Sequence, residues 1–195
     1  MKTEPHIESI SIDVANVLRK SVESLYSHLV TRPTGRAVRL AIEEQVSSSK
    51  RTALSLIDLS DVTVMDFSCA DEIVAKLLMR FLEEGRPADA LFVFRGVRQS
   101  LHEPIQTVLE RQKLLAVAQD GKDGCVLVGT RTEEEEHVWS VLEGRGQIDG
   151  AEVLEVFPGD RHREVLDELV LRRVAFATPG RSVYHALSAL VGGAS

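Results

Sequence analysis

Cysteine is scarce: the 195 residues contain two, Cys69 and Cys125, both in apolar surroundings and without C-x-x-C or Cys/His spacing. That excludes a disulfide framework, offers no zinc site and fits a reducing compartment. Long apolar runs are absent too, since nothing approaches the roughly 18 residues of a membrane helix. Met1-Lys2-Thr3-Glu4-Pro5 has none of the features of a secretory signal, so the expectation is a cytoplasmic protein with no membrane partner. Positive charge is in deficit, with 23 lysines and arginines against 30 acidic residues and a formal net charge of −7. A chain whose main task is to coat nucleic acid or an anionic membrane is thereby disfavoured, and any DNA contact must be local.

Catalytic patterns are missing as well. The six histidines, His6, His28, His102, His137, His162 and His185, are scattered, with no His-x-x-x-His or His-Glu-x-x-His spacing for a metal. His162, between Arg161 and Arg163 at an exposed helix start, reads as solvated surface. The nucleophile elbow Gly-x-Ser-x-Gly does not occur, nor does a phosphate-binding Walker pattern. Gly144-Arg145-Gly146 with Asp149-Gly150 does not follow a strand, so it is no dinucleotide motif. The expectation is a protein that is not an enzyme and uses neither cofactor nor metal.

What is there is an ordinary folded composition, 44% hydrophobic and 27% charged, in a length that suits one medium domain or two small ones. Three runs rich in branched apolar residues read as strands: Leu54–Leu59, Leu91–Phe94 and Cys125–Val128, the first and third apolar enough to be buried on both faces. Ile7, Ile10 and Ile12 fit a leading strand. Helical spacing recurs between them, at Ala37, Leu40, Ala41, Ile42 and Val46, at Ile73, Val74, Leu77, Leu78, Phe81 and Leu82, and at Leu101, Ile105, Val108 and Leu109. The second of these closes at Gly85 with Pro87 beyond. Strands alternating with helices predict an α/β fold with a largely parallel or mixed sheet.

The pattern changes after Gly129, which divides the chain into domains at 1–130 and 131–195. Arg131-Thr132-Glu133-Glu134-Glu135-Glu136 leads into an apolar periodicity at Val138, Val141 and Leu142, with Trp139 read as core. A second helix is predicted at Gly150–Val156. A third has Asp160 as N-cap, an apolar face at Val165, Leu166, Leu169 and Val170, and Arg172-Arg173 in its last turn, where cations suit the helix dipole. A hairpin follows: Val174–Ala177, a turn at Thr178-Pro179-Gly180-Arg181, then Ser182–His185.

The most informative segment runs from Leu56 to Glu72. Ser68-Cys69-Ala70-Asp71 has the form of a capping box, with the serine hydroxyl accepting a backbone N–H and Asp71 reaching back. Ser68 is also a candidate regulated surface site, and the two roles are compatible, because a phosphate suits the start of a helix. Asp58-Leu59-Ser60, Met65-Asp66 and Ser68 resemble the STAS family, the anti-sigma-factor-antagonist fold, over roughly residues 34–128. In that family an apolar strand ends in Asp-Leu-Ser and Met-Asp-Ser-Ser-Gly opens a helix. Phe67 stands where the family has its first serine, and Cys69 where it has glycine. The Ser-x-x-Asp-Glu form, with Thr34-Gly35-Arg36 ahead of the strand, looks more like the divergent STAS-like family of unknown function. Without the resemblance, Pro33 and Gly35 read as a turn, or as an anion site at the helix start.

The resemblance implies a STAS-like mixed sheet with helices and a regulatory, non-enzymatic role. Its partner would be an anti-sigma-factor-like serine kinase or another signalling protein. Docking is expected around Asp66, Ser68, Asp71 and Glu72, with phosphorylation of Ser68 as the switch. The second part resembles a small winged helix-turn-helix domain, and the alternative is a transcriptional regulator that binds DNA through Arg161, Arg163, Arg172, Arg173 and Arg181. Residues 133–195 hold six arginines and twelve acidic side chains, so a protein-contacting role is favoured over DNA.

Overall fold

The computed structural model describes residues 7–22, 28–119 and 124–192. His6 and the Met1–Pro5 segment lie outside the described residues. The first part runs β1 (Glu8–Asp13), α1 (Val14–Val22), β2 (His28–Leu29), α2 (Arg32–Ser47), β3 (Ala53–Asp58) and β4 (Val64–Met65). A helix in three segments follows: α3 (Phe67–Ala70), a π-helical stretch Asp71–Lys76, and α4 (Leu77–Leu82). Then come β5 (Ala90–Arg95), α5 (Gln99–Arg111), β6 (Leu115–Gln119) and β7 (Cys125–Gly129). The second part is α6 (Glu133–Arg145), β8 (Gln147–Asp149), α7 (Val153–Val156), α8 (Asp160–Leu171), β9 (Ala175–Ala177), β10 (Val183–Ala186) and α9 (Leu187–Gly192).

The fold is mixed α/β. A five-stranded sheet has the order β1-β3-β5-β6-β7. The first four strands are parallel and β7 pairs antiparallel with β6. Strand alternation decides which way each side chain points. Leu54, Leu56, Leu91, Val93, Leu115, Val117 and Leu127 enter one core, while Ile57, Phe92, Phe94, Ala116, Ala118 and Val128 enter another. A sheet buried on both faces explains why β3 and β5 read as continuous apolar runs rather than alternating ones. β7 departs from the expectation of burial on both faces: Val126 is exposed, on a strand that forms the edge of the sheet. The strand β6 was not legible beside the helix that precedes it.

The two cores are two layers on one sheet. Helices α1, α2, α4 and α5 and the π-helical stretch cover one face. The second part covers the other, with Val138, Trp139 and Leu142 of α6, Val165, Leu166 and Leu169 of α8, and Tyr184 of β10 packed against the sheet residues. The change of pattern near residue 130 is therefore not a change of core. The seven sheet side chains on that face would cost about 10–20 kcal/mol to expose, at roughly 1.5–3 kcal/mol each. That matches or exceeds the whole net stability of a typical domain.

Several expectations for the second part are corrected. A third strand, β8, precedes the second helix and pairs antiparallel with β10, which also pairs with β9. Helix α8 starts at Asp160 with Gly159 in the N-cap position. Arg172 and Arg173 lie beyond its last turn, as C-cap and the residue after it. Arg173 has φ of 60°, and the bonds Arg173 N to Val170 O and Val174 N to Leu169 O close a Schellman motif. This left-handed position, usually glycine, aims Arg173 back at the sheet: its guanidinium donates to Ala90 O at 2.9 Å and to Asp89 Oδ1 at 2.6 Å. Arg172 likewise donates to Glu135 Oε1 at 2.5 Å and Thr130 O at 2.6 Å. Trp139 is core, as expected, and its Nε1–H donates to Val174 O.

Candidate functional site

The site grows from the start of α3. β4 pairs with β2, matching His28 to Val64 and Leu29 to Met65, and Asp66 N then donates to Leu29 O at 2.8 Å. That bond holds Asp66 extended, so the helix begins at Phe67 and Asp66 becomes the cap, accepting Cys69 N–H at 2.8 Å. The expected capping box at Ser68–Asp71 is therefore wrong by two residues: an earlier Asp competes for the cap as well as Ser does. Ser68 is half-buried in the first turn, and its hydroxyl donates to Asp66 Oδ1 at 2.8 Å and Oδ2 at 3.1 Å. Burial acts to raise the Asp66 pKa, but the Cys69 N–H and Ser68 O–H outweigh it and hold the carboxyl below its usual range.

Asp71 does not reach back to Ser68. It and Glu72 are bound by cations from α2, which begins after the Thr31 N-cap with Pro33 in its first turn. Arg32 Nη1 donates to Asp71 Oδ2 at 2.6 Å and to Glu72 Oε1 at 2.9 Å. Arg39 Nε donates to Glu72 Oε2 at 3.1 Å, and Lys76 pairs with Glu72 as well. Glu72 is 2% exposed and so is no contact residue for a partner. Burial pushes its pKa up, and hydrogen bonds from Lys76, Arg32 and Arg39 more than offset that. The charge offered to solvent here is cationic, since Arg32 and Lys76 are about half-exposed while Asp71 and Glu72 lie beneath them.

Gly35 makes the cluster. It marks neither a turn nor an anion loop; it lies inside α2, where an added Cβ would stand 2.9 Å from Cys69 Cα and 3.2 Å from Glu72 Cβ. Only the missing side chain lets the helices approach until Arg32 and Arg39 straddle Glu72. Thr34-Gly35-Arg36 and Ser68–Glu72, separated in sequence, thus meet in space. Cys69 packs in this contact with its thiol donating to Thr31 O. Burial and the Asp66 carboxylate push its pKa up to about 12, far from a nucleophile's.

Beside Ser68 lies an uncovered apolar patch. Phe67 is 50% exposed, Val64 44% and Val30 50%, all where the β2–β4 pair meets the start of α3. The arginines assigned to DNA are dispersed. Arg172 and Arg173 are the tethers described above, Arg161 pairs with Glu134 and Arg181 with Asp167. Arg163 is exposed, but so are Glu164 and Glu168 on the same helix. Nor is His162 freely solvated: it is half-buried and stacks on Phe157 with ring centroids 5.4 Å apart. Among the described residues no group of His, Cys, Asp and Glu is placed to hold a metal, and no helix is long and apolar enough to cross a membrane.

Sequence reasoning missed Arg32, Arg39, Lys76 and the apolar patch. Arg32, Arg36 and Arg39 at i, i+4 and i+7 share one face of a helix, which is a legible signal of a cationic stripe. The chain matches no protein-family model, and no curated protein matches it.

Proposed function

We propose that this chain is a non-catalytic regulatory module that docks a signalling protein through the surface around Phe67 and Ser68, with phosphorylation of Ser68 as its control. The carrying observation is the position of a neutral, half-buried serine hydroxyl beside the uncovered Phe67, Val64 and Val30. An apolar patch of this kind favours a protein partner. A phosphate would bring about −1.5 to −2 charges into that rim, next to Asp66, and a partner seated on apolar side chains would have to desolvate it.

The STAS-like reading is supported by β3 ending at Asp58 ahead of Leu59-Ser60, by Met65 ending β4 with Asp66 capping the next helix, and by Ser68 in that helix. The second part has the order helix, strand, helix, helix, hairpin, with β8 beside β10, which supports a winged-helix reading. Its apolar surface covers the sheet, and Arg161, Arg172, Arg173 and Arg181 are paired with carboxylates while the exposed Arg163 stands among exposed acidic side chains, so a structural and protein-contacting role is favoured over DNA. The partner class is an anti-sigma-factor-like serine kinase or another signalling protein.

The test is capture from the source cell's lysate with wild type, Ser68→Ala, Ser68→Asp and Phe67→Asp. The reading expects one protein retained by wild type and Ser68→Ala and lost with both aspartates. Equal recovery by all four would refute it.

A further inference from the structure

Arg32 is bound to two carboxylates, and neither depends on it. Glu72 keeps Arg39 and Lys76 if Arg32 leaves. Asp71 keeps Lys76 at 3.7 Å. Arg32 is half-exposed, so little packing holds it. Asp71, where it is anchored, is one helical turn beyond Ser68, and side chains at that spacing stand about 5–6 Å apart. A movable guanidinium therefore waits one turn from the only serine in the helix start. Guanidinium and phosphate also match as a bidentate pair, which a single Lys nitrogen does not.

We propose that Arg32 is the built-in receptor for a phosphate on Ser68: on modification it leaves Asp71 and Glu72 and binds the phosphoserine. This rests on the reading of Ser68 as a phosphorylation site. The modification forms an O–P bond at Ser68 Oγ and breaks the bond between the terminal phosphoryl group of a nucleoside triphosphate and its diphosphate, within a partner kinase. The hydroxyl proton is released, and Asp66, which already accepts it as a hydrogen bond, is the first group able to take it. Afterwards the Asp66 carboxylate repels the dianion and Arg32 attracts it. The switch thus changes two things at once: the apolar rim gains charge, and the cationic face of α2 loses its exposed Arg32.

The experiment uses the full chain with phosphoserine genetically encoded at position 68 and follows the phosphorus NMR shift against pH. The charged groups on the elements packed against this helix start are Asp66 before it, Asp71, Glu72 and Lys76 in the π-helical stretch, Arg32, Arg36, Arg39, Glu43 and Glu44 on α2, and Arg98, His102, Glu103, Glu110 and Arg111 at and along α5. All but Arg32 are common to the two chains compared first, wild type and Arg32→Gln. Removing a cation in contact with the phosphate raises its second ionisation midpoint, by about half a unit or more for a half-exposed pair. Arg36→Gln is the control: Arg36 is exposed on the same helix and makes no ion pair among the described residues. It should move the midpoint less than half as far. Arg32→Lys, which keeps the charge and loses the fork, should fall between wild type and Arg32→Gln and serves if the glutamine variant does not fold. Equal midpoints for wild type and Arg32→Gln, or an equal shift from Arg36→Gln, would overturn the assignment. Partner loss with Ser68→Asp but no Arg32 effect removes the receptor and leaves the docking reading intact. A clear Arg32 effect with no partner exchange does the reverse.

Discussion

Replacing Gly35 with alanine tests whether the contact between α2 and the helix after Asp66 organises the site. Two opposing effects are of known size. Alanine in a helix interior gains about 1 kcal/mol over glycine. Against this, the added methyl would stand 2.9 Å from Cys69 Cα, 3.2 Å from Cys69 Sγ and 3.2 Å from Glu72 Cβ. Two of those neighbours are main-chain or first side-chain atoms that move only with the helix, and overpacking of this kind costs about 1–3 kcal/mol. The net expectation is a loss of about 1 kcal/mol, larger if Arg32 and Arg39 are pushed off Glu72. Gly144→Ala supplies the reference, because Gly144 lies in α6 with nothing within 4 Å of its added Cβ. There the propensity gain is unopposed and stability should rise by about 0.5–1 kcal/mol. Urea unfolding of the two variants beside wild type separates them, with midpoints moving in opposite directions. Stabilisation by both substitutions would refute the close-contact argument, since Gly35 would then be an ordinary helical glycine.

The shared core predicts that residues 1–130 alone do not fold, which circular dichroism and solubility of that fragment would check; a cooperative, soluble fragment would contradict it. Arg173→Ala removes two hydrogen bonds to the sheet and should cost about 1–3 kcal/mol by chemical denaturation, by the usual value of charge-assisted bonds. His185 is buried with Nε2 unpaired, and burial lowers its pKa from the ordinary 6.5. The unfolded chain then binds a proton first, so stability is full above about pH 6.5 and falls as pH drops toward the folded value. Glu143, raised from 4.5 by burial, acts in the opposite sense, so the comparison must be between variants: His185→Phe should gain on wild type at pH 5 relative to pH 8. Equal differences at both would remove His185 as the source. No salt-dependent shift of a DNA duplex is expected even at low ionic strength, and one that Arg163→Ala abolishes would revive the DNA reading.

Periodicity carried the fold class because it is a local property. Leu91–Phe94 is an unbroken apolar run and Leu54–Leu59 a nearly continuous one, interrupted only by Ser55 and Asp58, and both announce a sheet buried on two faces. Leu115–Gln119 has small alanines at alternate positions and follows α5 after a short turn, so its strand signal merged with the helix before it. The capping error at Ser68 has a similar origin. Ser-x-x-Asp is a local pattern, whereas the choice of Asp66 as cap is made by a hydrogen bond to Leu29, which no spacing within the helix encodes. The cation cluster is harder still, for Arg32 and Asp71 are 39 residues apart and meet only because Gly35 lets two helices touch. Gly35 itself was visible, and its surroundings were not. A glycine within an otherwise helical pattern and next to charged residues is thus better read as a point of close approach than as a turn. Here that approach holds Arg32 over Asp71 and Glu72, while the same helix start leaves Phe67 exposed and Ser68 half-buried beside it.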